Sequence, residues 1–430
     1  MFAVAKISPR SLEIAHGRCL VAFAAAVPLG EGLALAALAA TGICTAVRVC
    51  REIPSLRWPS MTMVGGWALF WGSGLLAVAV GGEGWHHPGE LGRWLPFLAL
   101  PVVFVSVRVL PQLWLQRAVF AFCALLSLSC LFGLLQYLFN ARPGEFWVRS
   151  ADGIVRQGRV PGNYDRSAAG GFFFHRLRLA HVVLVGLGIF FVRQVVAPTM
   201  GRIRRLGELG LTALLGTALL LTFARAALVA FAISSFACLA RCRWRLARWI
   251  CLVLGLALVA IPWVFDTAVQ QRFSRHQQTT DLGVRAFIWA QAAHIIADHP
   301  LGVGLGNYPT VVSRYYDGAD PTFNVRAYPH NVVLAALAET GPFGTAGLLV
   351  GWSALILLCA RALRRERTWR ACAGGVGLFV AVAYAVVGMT HDVFYHNAVA
   401  LAFAATEGAC LGLLAASPDD GVAPAVMANR

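Results

Sequence analysis

Charge is what this sequence has least of. Asp, Glu, Lys and Arg make up 13% of 430 residues, where soluble globular proteins carry about 25%. So few charges cannot cover a surface that faces water, which excludes a soluble multidomain protein of this length. Lysine is nearly missing: Lys6 stands alone, and arginine supplies the rest of the 36 basic residues. The N-terminal segment with Lys6, Arg10 and Arg18 lacks a small-residue cleavage site before the next apolar run. It is therefore expected to be a retained cytoplasmic tail, not a cleaved signal peptide. None of the eleven cysteines falls in the long polar loops, their number is odd, and no pair has zinc-site spacing. That argues against a disulfide framework.

What is present is hydrophobic residue, at 58%, laid out in runs near the roughly 20 residues that cross a bilayer. An all-α polytopic membrane protein follows, read as a single integral domain over 1–430. Runs at 60–81, 117–139, 179–197, 246–265, 343–360, 371–390 and 394–414 each suit one span. The stretch 206–240 is too long for one helix and is expected to turn at Thr222–Arg225. Residues 19–47 are expected to split around Gly30-Glu31-Gly32 into two short helices, and 94–107 is a short proline-containing segment. The total is about twelve. Arginine clusters recur in alternate loops, at Arg48–Arg57, Arg108–Arg117, Arg193–Arg205, Arg241–Arg248 and Arg361–Arg370. Twelve spans put all of these, with both termini, on the cytoplasmic side. Most of the formal charge of +16 is then orientation signal, not a nucleic-acid footprint.

The opposite face receives two long loops. The first, 140–178, breaks the charge rule: Arg142, Arg149, Arg156, Arg159, Arg166, Arg176 and Arg178 outnumber Glu145, Asp152 and Asp165, a net of +4. Guanidinium forks bind phosphate and carboxylate through paired hydrogen bonds, so an anionic ligand is implied there. Arg225 sits in an apolar stretch, Thr222-Phe-Ala-Arg-Ala-Ala-Leu228. A cation at the centre of a span costs at least about 2.5–3.5 kcal/mol and usually faces a functional cavity. The second loop, 267–342, carries an amphipathic helix expected over 284–298, with Arg285 in its first turn. A cation is disfavoured at that end of the helix dipole, unless an anion is shared there. Gly302-Val-Gly304-Leu-Gly306 lacks the strand–turn–helix setting of a dinucleotide site and is read as a tight loop. Pro329 suits a helix entry, placing His330 at a helix N-terminus that favours its neutral base form. Glu339, nine residues on, faces away from His330 on a straight helix. Gly341-Pro342 is expected to end or kink that helix. The carboxylates Asp281, Asp298, Asp317 and Asp320 are scattered and His86-His87 alone makes a poor metal site, so neither metal nor cofactor is expected.

The order His299-Pro-Leu-Gly-Val-Gly-Leu-Gly-Asn307, then Pro329-His330-Asn331, Leu334 and Glu339-Thr-Gly341 resembles the O-antigen ligase and polymerase superfamily. The resemblance extends to the twelve-span plan and thus over nearly the whole chain. It implies a membrane glycosyltransferase of the C-type class in the Gram-negative inner membrane, with its active site in the periplasm. His330 matches the family's essential histidine, Arg285 the arginine of Arg-x-x-x-Trp, and Arg225 the arginine opening the span after a short outer turn. The implied roles are a catalytic base for His330 and pyrophosphate binding for Arg225 and Arg285. Arg142, Arg159, Arg166, His175 and Asp392 are further candidates for substrate contact. Within the superfamily the ligase is preferred, joining O-antigen from undecaprenyl pyrophosphate to the lipid A–core oligosaccharide, with no metal and with inversion expected. The very basic first outer loop suits a phosphorylated acceptor. The short tail after residue 416 speaks against the longer protein O-oligosaccharyltransferases, while a polymerase would use the same donor twice. A polyprenyl-lipid or solute transporter is the rival from another class, with Glu407 and His396 as its ionisable groups. Unequal outer loops and the lack of an internal repeat count against it.

Overall fold

The computed structural model describes residues 8–52, 58–80, 94–141, 158–160, 163–196, 201–241, 275–315, 328–365, 369–391, 393–394 and 396–416. The helices are α1 (Pro9–Ala26), α2 (Glu31–Glu52), α3 (Met61–Val80), α4 (Ala99–Val109, entered through a 3₁₀ turn at Leu95–Leu98) and α5 (Gln112–Leu138). A small antiparallel hairpin, β1 (Arg159–Val160) and β2 (Asn163–Ser167), precedes a 3₁₀ turn at Gly171–Phe173. Then come α6 (Arg176–Val196), α7 (Arg202–Leu221), α8 (Arg225–Arg241), α9 (Arg275–Asp298), α10 (Tyr308–Val312), α11 (Val332–Arg365), α12 (Trp369–Gly388) and α13 (Asn397–Ala415).

Seven of these (α2, α3, α5, α6, α11, α12 and α13) are long and apolar enough to cross a membrane, and Leu95–Val109 and Arg225–Ala240 are shorter apolar helices. The expected span at 246–265 lies outside the described residues. The bundle has an inside and an outside. The apolar windows of α6, α12 and α13 are each 72% buried, against 22% for α2 and 28% for α3. Leu33 and Leu76 stand out on those peripheral helices, as lipid-facing side chains do. Small residues let backbones meet in such a bundle. At Gly66 of α3 an added Cβ would lie 2.5 Å from the backbone N of Gly351 and 2.7 Å from Gly347 O on α11, so no larger side chain fits that crossing. A buried polar trio, His16 Nε2 with Ser106 Oγ at 2.9 Å and Thr45 Oγ1 at 3.0 Å, ties α1, α2 and α4 together.

Three local expectations meet the structure directly. The turn at Thr222–Arg225 is present between α7 and α8, and α11 kinks at Gly341 (φ 64°). Residues 19–47 divide at Gly30 as expected, yet the two helices are not short: α1 has 18 residues and α2 has 22. Pro9 at the first helical position, after Ser8 as side-chain N-cap, starts α1 well before the apolar run begins.

Candidate active site

Pro329-His330-Asn331 is held on three sides. Asn331 Oδ1 accepts from Val333 N (2.9 Å) and Leu334 N (3.1 Å), which makes it the N-cap of α11. Its Nδ2 donates to Met389 O at 3.4 Å, just past the C-terminal end of α12. Pro329 O accepts from Trp289 Nε1 at 2.8 Å. Trp289 lies four residues after Arg285 on α9, so the two side chains share one helix face. The Arg-x-x-x-Trp pattern thus couples a cation to the anchor of the histidine loop. His330, half-buried, adopts a left-handed φ of 51°, a conformation that the surrounding contacts must over-determine.

Two expectations about this segment need correction. Pro329 is not the helix entry: Asn331 is the N-cap and the helix starts at Val332, so His330 lies at the helix N-terminus as expected but one residue outside the cap. Arg285 is not in a first turn either, because α9 begins ten residues earlier, at Arg275. Residues 275–283 show no apolar periodicity, yet a helix already formed propagates through polar residues at one hydrogen bond per residue. The dipole argument for Arg285 therefore lapses, and its site must be judged by its neighbours.

The glycine-rich loop is a clamp. The kink at Gly341 leaves the carbonyls of Ala338 and Glu339 to be satisfied elsewhere. They accept from Val303 N (2.8 Å) and Gly304 N (2.9 Å). Gly302 and Gly304, at φ +88° and +92°, take left-handed backbone that other residues rarely adopt. Fully buried Glu339 accepts from Gly306 N at 3.1 Å and from the Tyr328 hydroxyl at 3.3 Å. Tyr328 stacks on Tyr308 at 5.4 Å. Glu339 thus braces the glycine loop and the Tyr328 hydroxyl, two residues before His330.

Across the bundle, Arg225 is the first residue of α8 and is exposed. The turn before it is heavily tied. Thr222 Oγ1 donates to Leu219 O and accepts from Ala224 N, Leu221 O accepts from Ala169 N, and Phe223 has φ 54°. Arg166 lies over the Tyr137 ring at 4.2 Å, and that ring is 6.1 Å from Phe223. Arg159 sits opposite Ser167 in the hairpin. Gln136 of α5 pins Gly170 and Gly171, accepting from one backbone N–H and donating to the other carbonyl. Arg178 pairs with Glu31 at 2.7 Å. Arg142 and Asp392 lie outside the described residues.

Between these two halves lies a group of histidines that sequence reasoning did not assemble. The His175 and His396 rings are 5.8 Å apart, and those of His181 and His391 are 5.4 Å apart. His391 Nδ1 is 2.9 Å from Thr390 Oγ1. Burial first, then His181, Arg285, His330 and Arg176, push the His391 pKa well below the usual imidazole value. Burial, then His396, Arg178, Arg176 and His391, do the same to His175. The Trp289–Pro329 and Asn331–Met389 hydrogen bonds bring α9, the His330 loop and the residues just before His391 together, and His391 feels the charges of both His330 and Arg285. Chain separation hid this: the histidines come from the start of α6 and the α12–α13 junction, and no spacing rule links those segments. Among the described residues no group of three His, Cys, Asp or Glu is arranged to hold a metal ion. A site of guanidinium and imidazole suits an anion.

The depressed histidines make a stability prediction. Both are neutral in the fold and take up protons from about pH 6.5 downward when unfolded. Stability is thus intact above that value and is lost as pH falls below it, at about 1.4 kcal/mol per pH unit for each histidine. The thermal midpoint in detergent should drop between pH 7.5 and 5. A midpoint that rises on acidification contradicts the burial of neutral imidazole.

Residues 210–349 match the family model described as O-antigen ligase, which supports membership of that family. The matched stretch contains Arg225, Arg285 and His330 and leaves out Arg176 and His391. No curated protein matches the chain.

Proposed function

We propose, with membership of the O-antigen ligase family as the premise, that this protein transfers O-antigen polysaccharide from undecaprenyl pyrophosphate to the lipid A–core oligosaccharide at the periplasmic face of the inner membrane. The family match over residues 210–349 and the seven apolar helices support a multi-pass membrane protein of the O-antigen ligase or polymerase type. The single observation that carries this reading is the Trp289 Nε1–Pro329 O hydrogen bond of 2.8 Å, which ties the helix that bears Arg285 to the loop that bears His330. In this reading a proton acceptor and a phosphate-binding cation share one site, which faces the periplasm.

In this mechanism Arg225 and Arg285 hold the pyrophosphate, whose charge grows as the glycosidic bond breaks. His330 takes the proton from an acceptor sugar hydroxyl as that oxygen attacks the anomeric carbon. One C–O bond forms, the bond to the pyrophosphate oxygen breaks, and undecaprenyl pyrophosphate leaves with the electron pair. The reaction needs no metal, because the guanidinium groups supply the countercharge. One displacement inverts the anomeric centre. The net +4 of loop 140–178 suits a phosphorylated lipid A–core acceptor.

A polymerase is the second reading, since the same residues would serve it. Lipopolysaccharide profiles of cells lacking the gene separate the two. Loss of a ligase leaves polymerised glycan on the lipid carrier and bare core on the cell surface. Core carrying single repeats would instead assign the chain as a polymerase.

A further inference from the structure

The turn that presents Arg225 has a feature that its own sequence does not explain. Helix α7 ends at Leu221 and α8 starts at Arg225, and the last carbonyls of α7 are already satisfied by Thr222 N, Phe223 N and Ala169 N, so the carbonyls at issue are those of the link residues Thr222 and Phe223. Arg176, buried at 9% exposure at the head of α6, donates from one terminal nitrogen to Thr222 O at 3.3 Å and to Phe223 O at 3.4 Å. Its charge also meets the negative end of the α7 dipole. Taking a guanidinium out of water is costly unless such partners repay it. Arg176 is also one of the charges felt by His175, His181 and His391, so it stands between the arginine turn and the histidine group.

We propose that Arg176 is a positioning residue for donor binding, fixing the Thr222–Phe223–Ala224 turn so that the guanidinium of Arg225 is held ready for the pyrophosphate. The inference rests on the reading of Arg225 as a pyrophosphate ligand. Phe223 at φ 54° is a strained residue in a short link. The Thr222 hydroxyl and Ala169 hold the α7 end of the link, whereas Arg176 holds its Thr222 and Phe223 carbonyls. Without those two bonds Arg225 loses orientation that binding would have to restore. The protein therefore spends one arginine of the basic loop on holding another, not on touching ligand.

The test is a double-mutant cycle on the full-length protein in nanodiscs, measuring the Kd for undecaprenyl pyrophosphate and the KM for lipid-linked donor. Arg176→Ala should weaken binding about tenfold, the loss of one charged hydrogen-bonding group, with kcat changing less than KM. Arg176→Lys, which can reach one carbonyl and keeps the charge, should recover part of the loss. In the Arg225→Ala background, Arg176→Ala should add less than about twofold, because residues that act through one another are not additive. If Arg225→Ala weakens binding but Arg176→Ala does not, or if the two losses multiply, the positioning role is overturned and the Arg225 reading survives. If Arg225→Ala binds like wild type, the Arg225 reading itself fails. Should Arg176→Ala fail to insert, Arg176→Lys alone carries the cycle: an unchanged KM, or an effect that persists without Arg225, overturns the proposal.

Discussion

His330→Ala is expected to lower the rate of transfer by about 10²–10⁴, the usual cost of removing a positioned general base. Donor binding should stay nearly intact, because the imidazole acts on the acceptor hydroxyl and not on the pyrophosphate. The fold around it should survive as well. Asn331 caps α11, Trp289 holds Pro329 O, and Glu339 braces the glycine loop through Gly306 N. Truncating His330 also relieves nothing at φ 51°, since alanine meets the same left-handed penalty. Turnover should be measured with lipid-linked donor and lipid A–core acceptor, after confirming insertion and the thermal midpoint. Near-normal turnover in His330→Ala would remove the base from the mechanism.

Arg225→Ala should weaken donor binding as well as turnover, since it meets a pyrophosphate present in the ground and transition states alike. Hydrogen bonds to charged groups contribute about 1.5–3 kcal/mol, so a loss of roughly 10- to 150-fold in affinity is expected. Arg285→Ala should behave in the same way. Lysine at either position should rescue only partly, because a point charge cannot reproduce the two-pronged contact. The contrast with His330 is the informative part: the arginines should move Kd and rate together, and the histidine the rate alone. Wild-type donor affinity in both arginine variants would show that the countercharge comes from elsewhere in the basic loop.

The sequence by itself determined what short-range physics controls. Apolar run length set the spanning helices α3, α5, α6, α12 and α13 to within several residues of their ends. The polar interruption at Thr222–Arg225 set the break between α7 and α8, and Gly341-Pro342 set the kink in α11. These features depend on a residue and its immediate neighbours, so they can be read locally. The motif residues were legible too, as side chains, without their surroundings. Where local signals compete, the neighbouring residues decide the outcome. Pro329 was a plausible helix entry until Asn331 took the cap, and a polar stretch without periodicity before Arg285 still joined α9.

Only the tertiary structure decided what surrounds those side chains. Arg176 donates to carbonyls 46 and 47 residues away, and the His181 ring meets His391 across the interior of the bundle. In the sequence Arg176 was one arginine among seven in a basic loop. Its distinction, burial against a helix terminus, is a property of packing. The Tyr384 hydroxyl reaching His181 O, 203 residues away, belongs to the same class of contact. Composition and periodicity report which face of a helix avoids water. They carry no information on which two faces meet, and the proposed site lies where the tertiary structure brings α6, α9, α11 and the α12–α13 junction together.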